Sequence, residues 1–269
     1  MSGTRDVRKR TLDPEDLADL RSYLAFALKS ERVDVPRAEL LSGGAVQENW
    51  RLQLDVATGD HRGLHDVVLR TDAQARVPIS LDRTGEYRVL KAAHGAGVTV
   101  AQPLLECPDA SIIGAPFTLQ AFVSGEANAR ALTRAADLDV WGDAAAFALG
   151  AELAKIHAIK PDSDLASGLS FLPRSLHAPG VTEVERLREA LVGAGEARPA
   201  LAYVLKWLET HPPRASATVL VHGDYRTGNM MLDRGSVRAV LDWEFAHWGD
   251  PCEDIGWFTA RCWRFGNDS

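Results

Sequence analysis

The hydrophobic pattern changes character near residue 124. Before it, short apolar runs alternate with turn-forming residues, which predicts a hairpin at 38–55 and strands at 66–70, 99–105 and 116–123, with one helix inserted at about 82–95. After it, longer Ala- and Leu-rich periods predict helices, listed here in order: 135–159, 181–193, 198–210 and 253–265. The chain is therefore predicted to be an α+β protein with a sheet-rich first part and a mainly helical second part.

A further helix is predicted ahead of the sheet, at about 13–30. Asp13 followed by Pro14 is a good helix start, because Asp accepts hydrogen bonds at an N-cap and Pro suits the first helical position. Leucines from Leu17 to Leu28 then recur at helical spacing. We expect this helix to have a scaffold role.

A polar stretch at 220–251 interrupts this regular pattern where short strands end. Asp224 follows an apolar strand, Asn229 opens a predicted hairpin, and Asp242 stands just past the hairpin's returning strand. Since these three positions are all at strand ends, we expect Asp224, Asn229 and Asp242 to converge on one small volume. No other stretch of the chain concentrates polar residues that lack a simple structural explanation.

These three residue types suit phosphoryl transfer. The reaction needs one carboxylate near the accepting hydroxyl and oxygen ligands for the divalent metal that neutralises phosphate charge. Asp224 fits the first role, by accepting the hydroxyl proton or orienting the hydroxyl. Asn229 and Asp242 fit the second, because Mg²⁺ prefers oxygen donors.

The motifs in this stretch also identify a family. The chain contains H-G-D-x-x-x-x-N from His222 to Asn229, then D-W-E at Asp242, then G-D-P-x-x-D ending at Asp254. This combination resembles the aminoglycoside phosphotransferase family of small-molecule kinases. The resemblance implies a protein-kinase-like fold, with an N-terminal nucleotide-binding lobe at 1–124 and a C-terminal catalytic lobe at 125–269. Within it, we expect His222 to brace the loop rather than to carry a proton.

The same resemblance implies positions for the nucleotide. Gly43 and Gly44 are predicted to form a hairpin turn where kinase-like proteins cover the phosphates, since glycine lets backbone N–H groups approach closely. Arg70 takes the place of the usual strand lysine, and Glu86 on the following helix is its expected partner. An Arg fork can bind phosphate bidentately, unlike Lys.

The hinge between the predicted lobes falls at 120–125. Gln120 and Phe122 lie in this segment, whose backbone groups would bind the nucleotide base. The resemblance thus implies ATP or GTP as co-substrate, Mg²⁺ as cofactor, and a small hydroxylated acceptor. We expect Asp250 and Asp254 to cap the next helix and anchor the loop.

The acceptor class is left open by the sequence. The family name and the acidic balance suggest an aminoglycoside, for which Glu126, Asp250 and Glu253 are candidate carboxylates. The V-L-R strand and the E-Y-R-V-L helix at 86–90 look more like hydroxyacyl-CoA kinases, whose ester would need Lys or Arg near its phosphates. An alternative class is a nucleotide-binding pseudokinase without turnover, favoured by a chain that looks short at its C-terminus. A haloacid-dehalogenase-type phosphatase is disfavoured, because no apolar strand ends in D-x-D.

Composition excludes several other classes. Thirty basic against 37 acidic residues give a net charge of −7, which argues against a nucleic-acid partner. Three cysteines without a C-x-x-C pair indicate neither a disulfide framework nor a zinc site. The basic N-terminus is followed by no apolar segment, and no uncharged run is long enough to cross a bilayer. We expect a soluble cytoplasmic enzyme without a membrane partner, and the oligomeric state stays open.

Overall fold

The structure is a computed structural model that describes residues 12–41, 47–72, 79–175, 177–195, 198–212 and 217–266. It contains two compact units. The described residues of Met1–His94 and Val100–Ser124 form the first, and those of Gly95–Thr99 and Gly125–Ser269 form the second.

The first unit is built on an antiparallel sheet of five strands in the order β1-β2-β3-β5-β4. The strands are β1 (Val33–Leu40), β2 (Gln47–Val56), β3 (Gly63–Asp72), β4 (Pro103–Cys107) and β5 (Phe117–Ala121). Alternate residues of β2 point inward, so that Trp50, Leu52 and Leu54 are buried. This alternation is the signal from which the sequence predicts the strand.

Two helices accompany this sheet. Helix α1 (Pro14–Ala27) starts with a capping box. The Asp13 carboxylate accepts from the Asp16 N–H at 2.9 Å, and the Asp16 carboxylate accepts from the Asp13 N–H at 3.3 Å. Its Leu20 and Leu24 are fully buried and join the core of the sheet. Helix α2 (Arg83–Gly95) lies between β3 and β4 in the chain, as the inserted helix of a kinase-like small lobe does.

The second unit is mainly helical. Its helices are α3 (Ala129–Thr133), α4 (Leu138–His157), α5 (Pro179–Gly193), α6 (Pro199–Thr210) and α7 (Pro251–Phe258), with 3₁₀ turns at Asp164–Leu169 and Arg261–Arg264. Among the described residues, no helix combines the length and the apolar character needed to cross a membrane.

Four short strands position the polar residues of this unit. They are β6 (Val219–Val221), β7 (Met230–Asp233), β8 (Ser236–Val240) and β9 (His247–Gly249). The predicted hairpin is the antiparallel pair β7–β8, and β6 pairs antiparallel with β9. The sequence analysis does not predict β9, because three residues are too few to show a period.

Three predicted elements differ from the structure. The helix predicted at 253–265 ends at Phe258, because Ala260 has a non-helical backbone. A separate 3₁₀ turn follows, in which the Trp263 carbonyl accepts from the Thr227 hydroxyl at 3.0 Å. The helix predicted at 135–159 begins at Leu138, after the separate α3. The strand predicted at 99–105 starts only at Pro103, because the Thr99 N–H and hydroxyl donate to Glu152 at 2.7 and 2.9 Å.

The class and arrangement predicted for the fold are nevertheless confirmed. The structure has an antiparallel sheet with one inserted helix in one unit and a helical second unit, which together make an α+β protein of the kinase-like type.

Candidate active site

Strand β6 ends in a loop whose backbone only glycine fits. Gly223 has φ of +76°, and a Cβ built on it would lie 2.4 Å from the backbone oxygen of Phe245. Any side chain here would meet backbone atoms that cannot rotate away. The glycine between His222 and Asp224 therefore lets this loop pass directly against the Phe245 backbone.

His222 braces this loop from within the core. Its ring is fully buried, its Nδ1 accepts from the Asp224 N–H at 3.2 Å, and its Nε2 donates to the Leu241 carbonyl at 2.9 Å. Because an N–H group can only donate, Nδ1 is the unprotonated nitrogen in this arrangement. The bonds place His222 in the bracing position expected of it.

Asp254 anchors the same loop from helix α7. Its carboxylate accepts the backbone N–H groups of His222 and Gly223, both at 2.9 Å, and lies 3.0 Å from His157 Nε2. Burial raises the pKa of Asp254, but the hydrogen bonds from His157 and the two backbone N–H groups outweigh it, so the pKa lies below its usual value. Asp254 thus stays ionised in the core and holds the loop in place.

Asp224 and Asn229 are in direct contact. The Asn229 Nδ2 donates to the Asp224 Oδ2 at 2.6 Å and to the Asp224 backbone carbonyl at 3.0 Å. Both N–H groups of this amide are used in these bonds, so its Oδ1 remains as the acceptor atom. The backbone carbonyl of Asn229 also accepts from the Leu241 N–H at 2.8 Å, so the residue just before Asp242 lies beside Asn229.

Asp242 follows β8 in a left-handed conformation, with φ of +67°. A non-glycine residue in this region is uncommon, although Asp adopts it more readily than most. The turn takes the chain out of the hairpin directly after Leu241. Asn229 therefore contacts Asp224 through its side chain and Leu241, the residue before Asp242, through its backbone.

Two residues that the sequence analysis did not select also contact Asp224. Arg226 Nε lies 3.0 and 3.2 Å from the two carboxylate oxygens, and Trp257 Nε1 donates to Oδ1 at 2.6 Å. The Arg226 guanidinium stacks over the Trp263 ring at 4.4 Å. Arg226 could have been noticed as a cation two residues after the motif's Asp. Trp257 gives no such signal, because it occupies an apolar position of a predicted helix.

In the first unit, the structure brings Arg70 and Glu86 together. Arg70 Nη1 lies 2.6 Å from Glu86 Oε1, and Arg70 Nε donates to Asn49 Oδ1 at 3.2 Å. Glu86 also pairs with Arg83 on its own helix, a contact that the sequence analysis did not include. All three charged groups are buried, so each is held in one orientation by its partners.

The other predicted nucleotide residues lie at or near the end of β5. Gln120 is a buried member of the strand and pairs with Val68 of β3. Phe122 follows the strand, and its N–H donates to the Asp66 carbonyl at 3.0 Å, so a nucleotide base could take that donor only by breaking this bond. Gly43 and Gly44 lie outside the described residues.

The donor types at Asn229 and Asp242 are those that a magnesium ion prefers. The Asn229 amide is oriented by Asp224 so that its oxygen is the available acceptor, and Asp242 supplies a carboxylate. Hard oxygen donors in this number leave the rest of an octahedral shell for water and phosphate, which is how Mg²⁺ is usually bound.

A kinase-like fold with this Asp–Asn–Asp arrangement defines the class of small-molecule phosphotransferases. A comparison with protein families agrees with this class: residues 37–269 match the model of the phosphotransferase enzyme family. The chain therefore belongs to this family.

Curated relatives contain a similar segment within much longer chains. The chain is 29% identical over 265 residues to acyl-CoA dehydrogenase family member 10 of Mus musculus, covering 94% of this chain and 23% of the relative. It is 36% identical over 186 residues to acyl-CoA dehydrogenase family member 11 of Gallus gallus, covering 65% of this chain and 22% of the relative. The chain thus spans less than a quarter of the length of these relatives.

Solved structures share the fold. A protein proposed to be an aminoglycoside phosphotransferase, from Ralstonia eutropha, matches with a TM-score of 0.69 and 25% identity over 90% of this chain and 68% of its own. The macrolide 2′-phosphotransferase of Brachybacterium faecium matches with a TM-score of 0.59 and 25% identity over 90% of this chain and 76% of its own. A more distant match, at 15% identity and a TM-score of 0.58 over 91% of this chain and 80% of its own, is an aminoglycoside phosphotransferase in complex with GDP and kanamycin.

Proposed function

We propose that this chain is an O-phosphotransferase that moves the γ-phosphoryl group of ATP or GTP to a hydroxyl of a small molecule. The observation that carries the proposal is the contact between Asp224 and Asn229, in which both N–H groups of the amide are spent on Asp224. This contact orients a carboxylate for the acceptor and an amide oxygen for a metal. Membership of the phosphotransferase family and the nucleotide in one structural neighbour support it.

Each residue then has one role. Asp224 accepts the proton of the acceptor hydroxyl or orients that hydroxyl, and Arg226 and Trp257 hold its carboxylate through N–H donors. Asn229 and Asp242 hold Mg²⁺, which when bound neutralises charge on the phosphate oxygens. Arg70, fixed by Glu86, binds nucleotide phosphate. Gly43, Gly44, Gln120 and Phe122 remain proposed nucleotide contacts.

Among the two acceptor classes, we favour a hydroxyacyl-CoA ester over a cationic aminoglycoside. The three carboxylates that could receive an aminoglycoside all have partners within the protein. Glu126 accepts from the Asn128 N–H at 2.7 Å, Asp250 caps helix α7, and Glu253 lies 3.2 Å from His247 Nε2. The Asp224 carboxylate is likewise paired with Arg226, so this pair has no net negative charge to attract a cationic acceptor. The names of the curated relatives also refer to acyl-CoA.

The catalytic assignment is tested by Asp224→Asn. With Mg²⁺ and ATP, we expect product formation on the accepted substrate to fall by about 10²–10⁴-fold, because the amide cannot take the hydroxyl proton. The measurement is ³¹P NMR or ADP release against a panel containing kanamycin, a macrolide and hydroxyacyl-CoA esters. Asp233→Asn is the matched control, since Asp233 is an exposed carboxylate at the end of β7. Equal turnover in the Asp224 and Asp233 variants would contradict the assignment.

The metal assignment is tested by Asp242→Asn through the thermal midpoint. A ligand at about a hundred times its Kd should add roughly 2.7 kcal/mol to the stability of wild type, a shift of several degrees. We expect Mg²⁺ with ATP to raise the midpoint of wild type and of Asp233→Asn, and to raise that of Asp242→Asn much less. An unchanged shift in the Asp242 variant would remove this residue from the metal site.

One observation favours a second candidate, a nucleotide-binding module without turnover. Three side chains donate to the Asp224 carboxylate in this structure, and they occupy lone pairs that an acceptor hydroxyl would use. The two functions give different results in the experiments above. A thermal shift with Mg²⁺ and ATP, combined with no product from any acceptor in the panel, would support the module.

A further inference from the structure

A second cluster of metal-ligating groups lies apart from the Asp–Asn–Asp site. Glu183 on α5, His247 on β9 and Glu253 on α7 place one ligand atom each within 4.8 Å of one another. The three residues come from three separate elements of the second unit and are all partly buried. None of them has a role in the proposed phosphotransfer.

The His247 ring is oriented by a backbone carbonyl. Its Nδ1 lies 2.9 Å from the Phe245 carbonyl, which can only accept, so Nδ1 carries a proton. In the neutral ring Nε2 then has a lone pair, and this lone pair faces Glu253 Oε2 at 3.2 Å. Two acceptor atoms at this distance require a cation between them, either a proton or a metal ion.

The geometry suits a metal ion. Two ligands at ~2.0–2.1 Å from a tetrahedral zinc ion are separated by about 3.3 Å, close to the spacing of His247 Nε2 and Glu253 Oε2. Metal-binding histidines commonly donate their other ring N–H to a backbone carbonyl, as His247 does to Phe245. The ring is therefore fixed in the tautomer that zinc needs.

Glu183 is held in position by a neighbour. Arg186 Nε and Nη2 each donate to one of its carboxylate oxygens at 2.7 Å. A carboxylate has about four lone-pair sites, so this bidentate pair leaves about two for a metal. With a neutral imidazole, the two carboxylates and Arg186 sum to one negative charge, which a bound cation would offset.

Gly249 allows close packing around these atoms. A Cβ built on Gly249 would lie 3.1 Å from Glu253 Oε2 and 3.2 Å from His247 Nε2. Any other residue would crowd the two atoms that face each other. The same Cβ would lie 2.8 Å from Val221 Cγ2, so the glycine lets the Val221 side chain pack closely beside this pair.

We propose that Glu183, His247 and Glu253 form a binding site for a divalent transition metal, with Zn²⁺ as the best-suited ion. One imidazole nitrogen and two carboxylates match the ligand preferences of zinc and leave its fourth position for water. The ion joins α5, β9 and α7, and α7 carries the Asp254 that anchors the His222–Gly223 loop. None of the three ligands takes part in the proposed phosphotransfer, so the site is independent of that reaction.

The test uses zinc alone, added to the metal-free full chain. Competition with a chromophoric zinc chelator should show one bound Zn²⁺ per chain, and His247→Gln should weaken the affinity by about tenfold or more. Glu253→Gln should have a similar effect and provides a second variant if His247→Gln does not fold. X-ray absorption of the loaded protein should show nitrogen and oxygen neighbours at ~2.0–2.1 Å.

Two matched controls separate this site from other zinc ligands. His177→Gln removes another His–Glu pair of similar spacing, with His177 Nδ1 and the Glu185 carboxylate 3.3 Å apart. This pair is not part of the three-residue cluster, so the variant should leave zinc affinity unchanged. Asp242→Asn should also leave it unchanged. The proposal is wrong if folded wild type binds no stoichiometric zinc, if His247→Gln and His177→Gln bind it equally, or if sulfur neighbours at ~2.3 Å reveal binding at Cys252 or Cys262.

Discussion

At the scale of single residues, the candidate site depends on backbone positions as much as on its carboxylates. Gly223 and Asp242 both have positive φ, and each stands where the chain leaves a strand or a hairpin. Asp224 and Asn229 are then fixed by one short hydrogen bond between their side chains, at 2.6 Å, and a second from Asn229 to the Asp224 backbone carbonyl. The sequence motif indicates Asp224, Asn229 and Asp242, and a cation two residues after Asp224 hints at Arg226, whereas Trp257 is recognised only from its distance to Asp224.

Gly223→Ala is expected to destabilise the protein by about 3 kcal/mol, within the range of severe single substitutions. The added Cβ would lie 2.4 Å from the Phe245 oxygen, and the backbone has φ of +76°. Urea denaturation measures the loss. Gly256→Ala is the control, because nothing lies within 4 Å of a Cβ at that helical position. A loss for Gly223→Ala no larger than for the control would show that the loop can move aside.

At the scale of elements, helix starts are encoded locally and strand partners are not. Asp13 caps α1 and Asp250 caps α7, and both are followed by Pro at the first helical position. A cap acts through bonds to the next three residues, so a short stretch of sequence contains all the information it needs. Strand β9 and the 3₁₀ turn after α7 have distant partners instead, β6 and Thr227.

Removal of the Asp13 cap tests whether the start of α1 is stabilised by local hydrogen bonds. Asp13→Ala should cost about 1 kcal/mol of stability, because the N–H groups of Glu15 and Asp16 lose an acceptor at 2.9 Å. Asp19→Ala removes an exposed carboxylate from the same helix, away from the cap, and should change stability by less than about 0.5 kcal/mol. Chemical denaturation of both variants gives the comparison. Equal losses of stability in the two variants would mean that the capping box of α1 contributes nothing beyond the charge of Asp13.

At the scale of the whole molecule, the second unit is held together by a buried charge. The Asp254 carboxylate on α7 accepts hydrogen bonds from the loop after β6 and lies 3.0 Å from His157 on α4. One carboxylate therefore connects three parts of the chain. The sequence places Asp254 in a family motif and anticipates an anchoring role. Its link to His157 is long-range in sequence and is visible only in the folded chain.

This anchor makes stability depend on pH. Because the pKa of Asp254 is lowered in the folded state, its contribution is fully present above the unfolded value of about 3.9 and is lost as pH falls through the folded pKa. We expect wild type to lose stability as pH falls from about 5 to 3, and Asp254→Asn to be less stable at neutral pH with a flatter acid dependence. Urea denaturation across this range, with Asp233→Asn as control, measures both. If the free energy of unfolding depends on pH in the same way in wild type and in Asp254→Asn, Asp254 is not the source of the acid dependence.

The sequence by itself determined what depends on near neighbours or on a specific motif. Helix caps, strand alternation and the hairpin of β7 and β8 follow from local periodicity and turn chemistry, and the H-G-D-x-x-x-x-N motif identified the kinase-like fold and its family. Tertiary structure alone decided which groups meet across long stretches of chain. Trp257 contacts Asp224 across 33 residues, and Asp254 contacts His157 across 97. The physical reason is that such contacts follow from packing of separate elements, which no local spacing encodes.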